Sequence, residues 1–379
     1  MDQQSRTTAA QIDPQNASLL FQKAPQEIRN HIYFLLFSST RFSFGSDWDY
    51  VLRPALNGLA LARTCRRAWL EIGDSWLGQV LFCFDDIHTM LDKLTVISAG
   101  TLSKIRYLRV RGDTLPLAIP LGDVYTDDRW YRLNAVFKLL PGLQLEQLTV
   151  LSETVGWSAT ISYQALGRLI EHGQGWKTLR YVGHSSALIG FASEHEQDLH
   201  FNFWNTQTEY WREPQPARWQ SVLEGRDGPA SKPSVTIYRA AHPSQRISAA
   251  GASRLLPQAV LPQFGSVLDP NKRVQYEQRP RQDPDSQPNV FAADPKLMTG
   301  DEQFKELLVI VKRGTGVDYE EKPNSPFLED DIRAEFPGRS WTELRNHALN
   351  YFSNEEETDR PIRRDVYIDP DEYEYQPTR

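Results

Sequence analysis

Ile105-Arg-Tyr-Leu108-Arg-Val110, Leu145-Glu-Gln-Leu148-Thr-Val150 and Trp176-Lys-Thr-Leu179-Arg-Tyr181 share one pattern, apolar-x-x-apolar-x-apolar. Their starts lie 40 and then 31 residues apart. A helical segment precedes each. The first, Ile87 to Ala99, carries Met90, Leu91, Leu94 and Ile97 on one side. The second, Arg129 to Leu140, carries Leu133, Val136, Phe137 and Leu140, and the third, Ser162 to His172, carries Leu166, Leu169 and Ile170. Helix and strand alternating at a loose period predict an α/β fold. Both a parallel sheet with crossover helices and an irregular leucine-rich-repeat-like solenoid have this appearance. Leu108, Leu148 and Leu179 are then equivalent core positions, and Ser234 to Tyr238 is a candidate fourth strand.

Side chains alternate across a strand. If Ile105, Leu108 and Val110 face the core, then Tyr107, Arg109 and Arg111 face away from it. Gln147 and Thr149 match them on the second strand, and Thr178 and Arg180 on the third. The expectation is a polar, arginine-bearing sheet face at Tyr107, Arg109, Arg111, Gln147, Thr149 and Arg180 that engages a protein partner. Bidentate guanidinium pairs suit an acidic or phosphorylated segment. A solvated face without a partner is the other reading.

Upstream, residues 1–16 read as a disordered arm and residues 17–86 as a helical unit. Pro25 suits a first helical turn, where its missing N–H has no partner to lose. Glu27 lies in the same turn, where the helix dipole favours a carboxylate. Ile28, Ile32, Leu35 and Leu36 line one face at helical spacing. An aromatic connection, Arg41 to Pro54, has the alternation of a short hairpin. A second helix is expected from Pro54 to Gly73, with Leu59, Ala62, Trp69 and Ile72 on its buried face and Arg63, Arg66 and Arg67 opposite. Phe82 and Phe84 suggest a short strand.

Pro25-Gln-Glu-Ile28-Arg-Asn-His-Ile32-Tyr33 and Arg63-Thr-Cys65-Arg66 resemble the paired helix motifs of fungal F-box-like proteins, over roughly residues 19–85. The resemblance implies docking on the Skp-type adaptor of a cullin–RING ubiquitin ligase, the rest of the chain recruiting a protein substrate. Carried over position by position, the adaptor surface comprises Pro25, Ile28, Ile32, Leu59 and Trp69. Ala24 stands where the family usually has Leu, and the connection between the helices is longer than in a compact F-box. The same apolar stripes would also serve to cap the repeat array.

Downstream, residues 87–240 form the irregular β/α region. Residues 241–300 read as a loop or linker, with 8 prolines between Pro243 and Pro295. Residues 301–379 hold 20 acidic and 11 basic residues, a net of −9, against 29 and 31 in the rest of the 379-residue chain. In this acidic segment Phe304 to Val311 reads as strand or helix. Ser340-Trp-Thr-Glu343 is a capping box opening a helix with Leu344, Ala348 and Tyr351 on one face. The end, Asp365 to Arg379, is acidic and tyrosine-rich.

Reaction motifs are weak. Gly183-His-Ser185-Ser-Ala187 has Ala where a nucleophile elbow has its second Gly. His195 and His200 are one residue too far apart for a zincin helix, and a polar surface turn is the alternative. Gly314-Thr-Gly316 lacks the third Gly of a dinucleotide loop. Cys65 near three arginines is either a reactive thiol or a structural one. Nor does the sequence carry the clustered basic footprint of nucleic-acid binding or an apolar run of the roughly 18–20 residues a membrane helix needs. Two cysteines support neither a disulfide framework nor a zinc site, which points to a reducing cytoplasm or nucleus. The reading is a non-enzymatic interaction protein without cofactor, a substrate receptor of a cullin–RING ligase. The alternative is a scaffolding repeat protein with no ubiquitin role.

Overall fold

The computed structural model describes residues 18–44, 60–112, 114–121, 125–152, 158–183, 210–211, 215–239, 275–276, 306–328 and 330–345. The fold is mixed α/β, built on a seven-stranded, mostly parallel sheet. Its strands are β1 (Arg41–Phe44), β2 (Leu81–Phe84), β3 (Tyr107–Arg111), β6 (Leu145–Leu151), β7 (Trp176–Gly183), β9 (Ser234–Arg239) and β11 (Leu307–Lys312). Their order in the sheet is β1-β2-β3-β6-β7-β11-β9. The first five are parallel and adjacent in chain order, and β11 enters antiparallel between β7 and β9. An antiparallel hairpin, β4 (Leu115–Leu121) with β5 (Tyr125–Tyr131), interrupts the connection from β3 to β6. A further two-stranded pair joins β8 (Tyr210–Trp211) to β10 (Gln275–Tyr276).

The three quoted repeats are neighbouring strands in register. Leu108 lies opposite Leu148, which lies opposite Leu179, and all three are fully buried. The crossover helices are α5 (Ile87–Leu94), α6 (Ala99–Leu102), α7 (Leu133–Val136) and α8 (Ser158–His172). Their apolar residues, among them Met90, Leu91, Val136, Leu166 and Ile170, join Leu108, Val110, Leu148 and Val150 in one core. Helices α5 to α8 therefore pack their apolar sides on the same sheet face. Local chemistry sets where they start. Asp86 caps α5, its carboxylate accepting from Thr89 N at 2.7 Å, and Ser98 caps α6. Before β7 the chain turns at Gly175, whose φ of +86° strains any residue with a Cβ.

Several boundaries differ from expectation. The first crossover helix ends at Leu94 rather than Ala99. Arg129 to Tyr131 belong to β5, so the second helix begins only at Leu133, because these residues pair with β4 across the hairpin. Arg41–Phe44 pairs in parallel with β2, and residues 45–54 of the expected hairpin lie outside the described residues. The second N-terminal helix is broken into α3 (Ala60–Thr64) and α4 (Arg66–Ile72). Cys65 between them is extended, and its sulfur accepts from Ala68 N at 3.3 Å, so this thiol acts as a helix cap. The run before Val311 is strand, and it separates β9 from β7.

After β11 the chain returns across the entry turns of the parallel strands. Gly175 N donates to Tyr319 O at 2.6 Å, Gly142 N to Glu321 O at 2.7 Å and Glu321 N to Leu143 O at 3.1 Å. This return segment, residues 313–345, adds Ile332, Phe336, Trp341 and Leu344 to the main core. At its head, Gly314 sits so close to Ser231 that a Cβ would overlap the serine side chain. No helix follows Gly314-Thr-Gly316 as a dinucleotide loop requires; Gly314 N donates instead to Asp227 at 3.0 Å. The Ser340 capping box is formed, with Ser340 N donating to Glu343 Oε2 at 2.7 Å. Ser185, His195, His200, Ala348, Tyr351 and the acidic end lie outside the described residues.

Candidate functional site

The N-terminal unit comprises α1 (Leu19–Lys23), α2 (Gln26–Ser38), α3 and α4. Pro25 is exposed and occupies the position before the first turn of α2. The inward face of α2 is Arg29, Tyr33 and Phe37, one turn apart each. Arg29 makes a two-pronged pair with Glu71 of α4, Nε and Nη2 each 2.9 Å from a carboxylate oxygen. It also bonds Ala24 O at 2.6 Å and the Gln26 side chain. Tyr33 OH donates to Glu71 at 3.1 Å, and Arg67 reaches the same carboxylate at 3.1 Å. Arg67 and Arg29 stack over the Phe21 ring, at 4.6 and 5.5 Å, which ties α1 to the pair.

Electrostatics follow from this convergence. Burial raises the Glu71 carboxyl, but hydrogen bonds from Arg29, Arg67 and Tyr33 outweigh it and leave its pKa below the usual value. The bond to Glu71 lifts Arg29 further. Burial first, then the bond to Glu71, pushes the Tyr33 phenol up to about 12.

With Arg29, Tyr33 and Phe37 turned inward and Leu36 partly buried against the core, the rest of the apolar stripe of α2 faces water. Ile28 is 52% exposed, Leu35 54% and Ile32 39%. Trp69 on α4 is 51% exposed, with Leu70 beside it. The expected burial of Trp69 is therefore corrected: the buried face of α4 is Ala68 and Ile72, one turn apart. Leu59 lies outside the described residues.

The second candidate is the sheet face opposite the helices. Its registers match the expected ones: Arg109 lies opposite Thr149, which lies opposite Arg180, and Tyr107 lies opposite Gln147, which lies opposite Thr178. Its exposure does not match. Arg109 is 4% exposed, and Gln147 and Thr149 are buried, while Tyr107, Arg111 and Arg180 are half-buried. Burial pulls the Arg180 guanidinium down to about 10. At the far ends of β6 and β7, Leu151 and Val182 form a second apolar cluster with Leu308 and Ile310 of β11 and Tyr238 of β9. A two-residue period assigns the face but not what lies over it, so the expected exposure of Arg109, Gln147 and Thr149 is corrected.

Further ionic groups were missed in the sequence because their partners are far away along the chain. Arg313 grips Asp227 through Nε, at 2.7 and 2.9 Å, and both side chains are buried. Arg226 beside it donates to the carbonyls of Ile170 and Gly173. Lys138 pairs with Glu321 at 3.1 Å. Among the described residues no group of three or more His, Cys, Asp or Glu is placed to hold a metal ion, and no helix is long and apolar enough to cross a membrane. No family model, curated protein or solved structure matches this chain.

Proposed function

We propose that this chain is a non-enzymatic interaction protein of the cytoplasm or nucleus, a substrate receptor whose N-terminal helices dock on the Skp-type adaptor of a cullin–RING ubiquitin ligase. The observation that carries the reading is the exposed apolar row Ile28, Ile32 and Leu35 on α2. The helix packs on the rest of the protein through Arg29, Tyr33, Phe37 and the partly buried Leu36, while Ile28, Ile32 and Leu35 are left to solvent. Exposed apolar residues grouped on one helix face mark an interaction surface. The F-box-like spacing of Pro25 to Tyr33 and Arg63 to Arg66 names the occupant, and exposed Pro25 and Trp69 belong to the surface which that resemblance assigns to the adaptor.

The test is recovery of purified adaptor by the full chain and by an Ile28→Asp, Ile32→Asp variant. The wild type retains adaptor and the variant does not, at an unchanged melting temperature. Equal recovery by both, or none by the wild type, removes the adaptor from the reading and leaves a scaffolding protein.

A further inference from the structure

The return segment bends at Lys322 to Ser325, where Ser325 N donates to Lys322 O at 3.1 Å. Lys322, Pro323, Asn324, Pro326 and Phe327 are exposed, and Ser325 between them is half-buried. Ser325-Pro326 is the one Ser-Pro pair in the sequence, and there is no Thr-Pro. The Ser325 hydroxyl is the hub of an ionic cluster. It donates to Glu321 Oε1 at 2.6 Å, and Lys138 Nζ and Arg333 Nη1 lie 3.1 and 3.2 Å from it. Lys138 also bonds both Glu321 oxygens, and Arg333 pairs with Asp331 at 2.7 Å while holding Ser325 O at 3.0 Å. Two cations thus balance two carboxylates around one hydroxyl.

We propose that Ser325 is a phosphorylation site for a proline-directed protein kinase, and that its modification releases the return segment from the helical layer. The serine oxygen attacks the γ-phosphorus of a nucleoside triphosphate. The new O–P bond forms as the bond to the β-phosphate oxygen breaks, the nucleoside diphosphate leaves, and the hydroxyl proton passes to the kinase base. Pro326 fixes its own φ, lacks an N–H and biases Ser325 toward an extended backbone, a shape an enzyme can read from the exposed bend.

The effect on the cluster follows from charge and from proton count. The ester oxygen has no proton to donate, so the bond to Glu321 is lost. The phosphate adds about −1.5 to −2 beside a carboxylate whose side chain is 0% exposed. Lys138 and Arg333 are already neutralised by Glu321 and Asp331, so the added charge lacks a counterpart within the cluster. Glu321 is also the residue whose backbone bonds Gly142 and Leu143, so its displacement loosens the seam.

The experiment uses the full chain, a purified proline-directed kinase and ATP, with site mapping by mass spectrometry and amide hydrogen exchange before and after. Ser325 acquires phosphate, and exchange at the Gly142 and Glu321 amides accelerates at least tenfold. Phosphatase treatment restores the original rates, which separates a switch from damage. Ser325→Ala takes no phosphate at this bend, and its exchange rates are the same with and without kinase. Absence of phosphate on Ser325 overturns the proposal. So does phosphorylation that leaves exchange unchanged, slows it, or speeds it irreversibly.

Discussion

Lys138 and Glu321 stand 183 positions apart in the chain, yet their charged groups meet at 3.1 Å with side chains 2% and 0% exposed. The pair joins the turn after α7 to the return segment, so an ionic contact between the β/α region and the acidic C-terminal region is buried. Such a pair contributes little net stability over an apolar substitute, because desolvation offsets the attraction. Breaking it is different, since one charge is then stranded. Lys138→Ala is expected to lower unfolding free energy by about 3–5 kcal/mol, and the double change Lys138→Met, Glu321→Leu by clearly less. Urea midpoints of the three proteins test this, and equal losses for single and double variants would refute it.

The strand leucines and the α2 stripe give opposite responses. Leu108→Ala, Leu148→Ala and Leu179→Ala should each cost about 2–5 kcal/mol, since each side chain is fully buried. Ile28→Ala should stay within about 0.5 kcal/mol, although Ile28 is as apolar as the leucines. A denaturation series on the four variants reads both at once.

Arg109→Ala should destabilise the protein by roughly 1–3 kcal/mol, because removing a buried guanidinium leaves its polar partners unsatisfied. Arg111→Ala, half-buried at the next position of the same face, should cost less. Similar melting temperatures for the two variants would show that Arg109 is reachable by solvent.

His88 of α5 packs against Trp341, with ring centroids 5.8 Å apart, and Trp341 Nε1 donates to Asp92 at 2.8 Å. Burial lowers the His88 pKa against the opposing fields of Asp86 and Asp92, with Arg345 adding to the lowering. The unfolded state therefore takes up its proton first. Stability is unaffected well above pH of about 6.5 and falls as pH drops from there toward the folded-state pKa. His88→Asn should flatten this arm of the stability–pH curve. The loss below the carboxylate range, where Glu71 and Asp331 are protonated, should persist, because both carry lowered pKa values. Chemical unfolding from pH 8 down to about pH 2 separates the two arms.

Much of the sheet was legible because strand chemistry is local. Apolar-x-x-apolar-x-apolar places Leu108, Leu148 and Leu179 inside, and the alternation places Arg109, Thr149 and Arg180 in one row, as the registers have it. Exposure was not legible, since it depends on what crosses over the row. The α2 helix shows the same limit. The spacing of Ile28 and Ile32 fits either a docking surface or a cap on the array, and the side that packs is decided by Glu71, 42 residues beyond Arg29, whose carboxylate collects Arg29, Tyr33 and Arg67. Strand β11 was readable as an apolar run, but its slot was not. Its partners begin at Trp176 and Ser234, and nothing near Leu307 encodes that distance.

That slot carries a consequence for how the chain is made. While residues 240 to 306 are still being synthesised, the residues of β7 and β9 have been made, but the strand that joins them has not. Val309 and Val311, which complete the core between Tyr181 and Leu179 on one side and Ile237 and Val235 on the other, arrive late. Until then the nascent protein presents two unsatisfied strand edges and an open apolar seam, the kind of surface that pairs with other chains. Closure must wait for a contact of long sequence separation, which slows folding. The interval between emergence of Arg239 and of Lys312 is thus the period in which this protein is most exposed to misassembly, and in which a holding chaperone has most to protect.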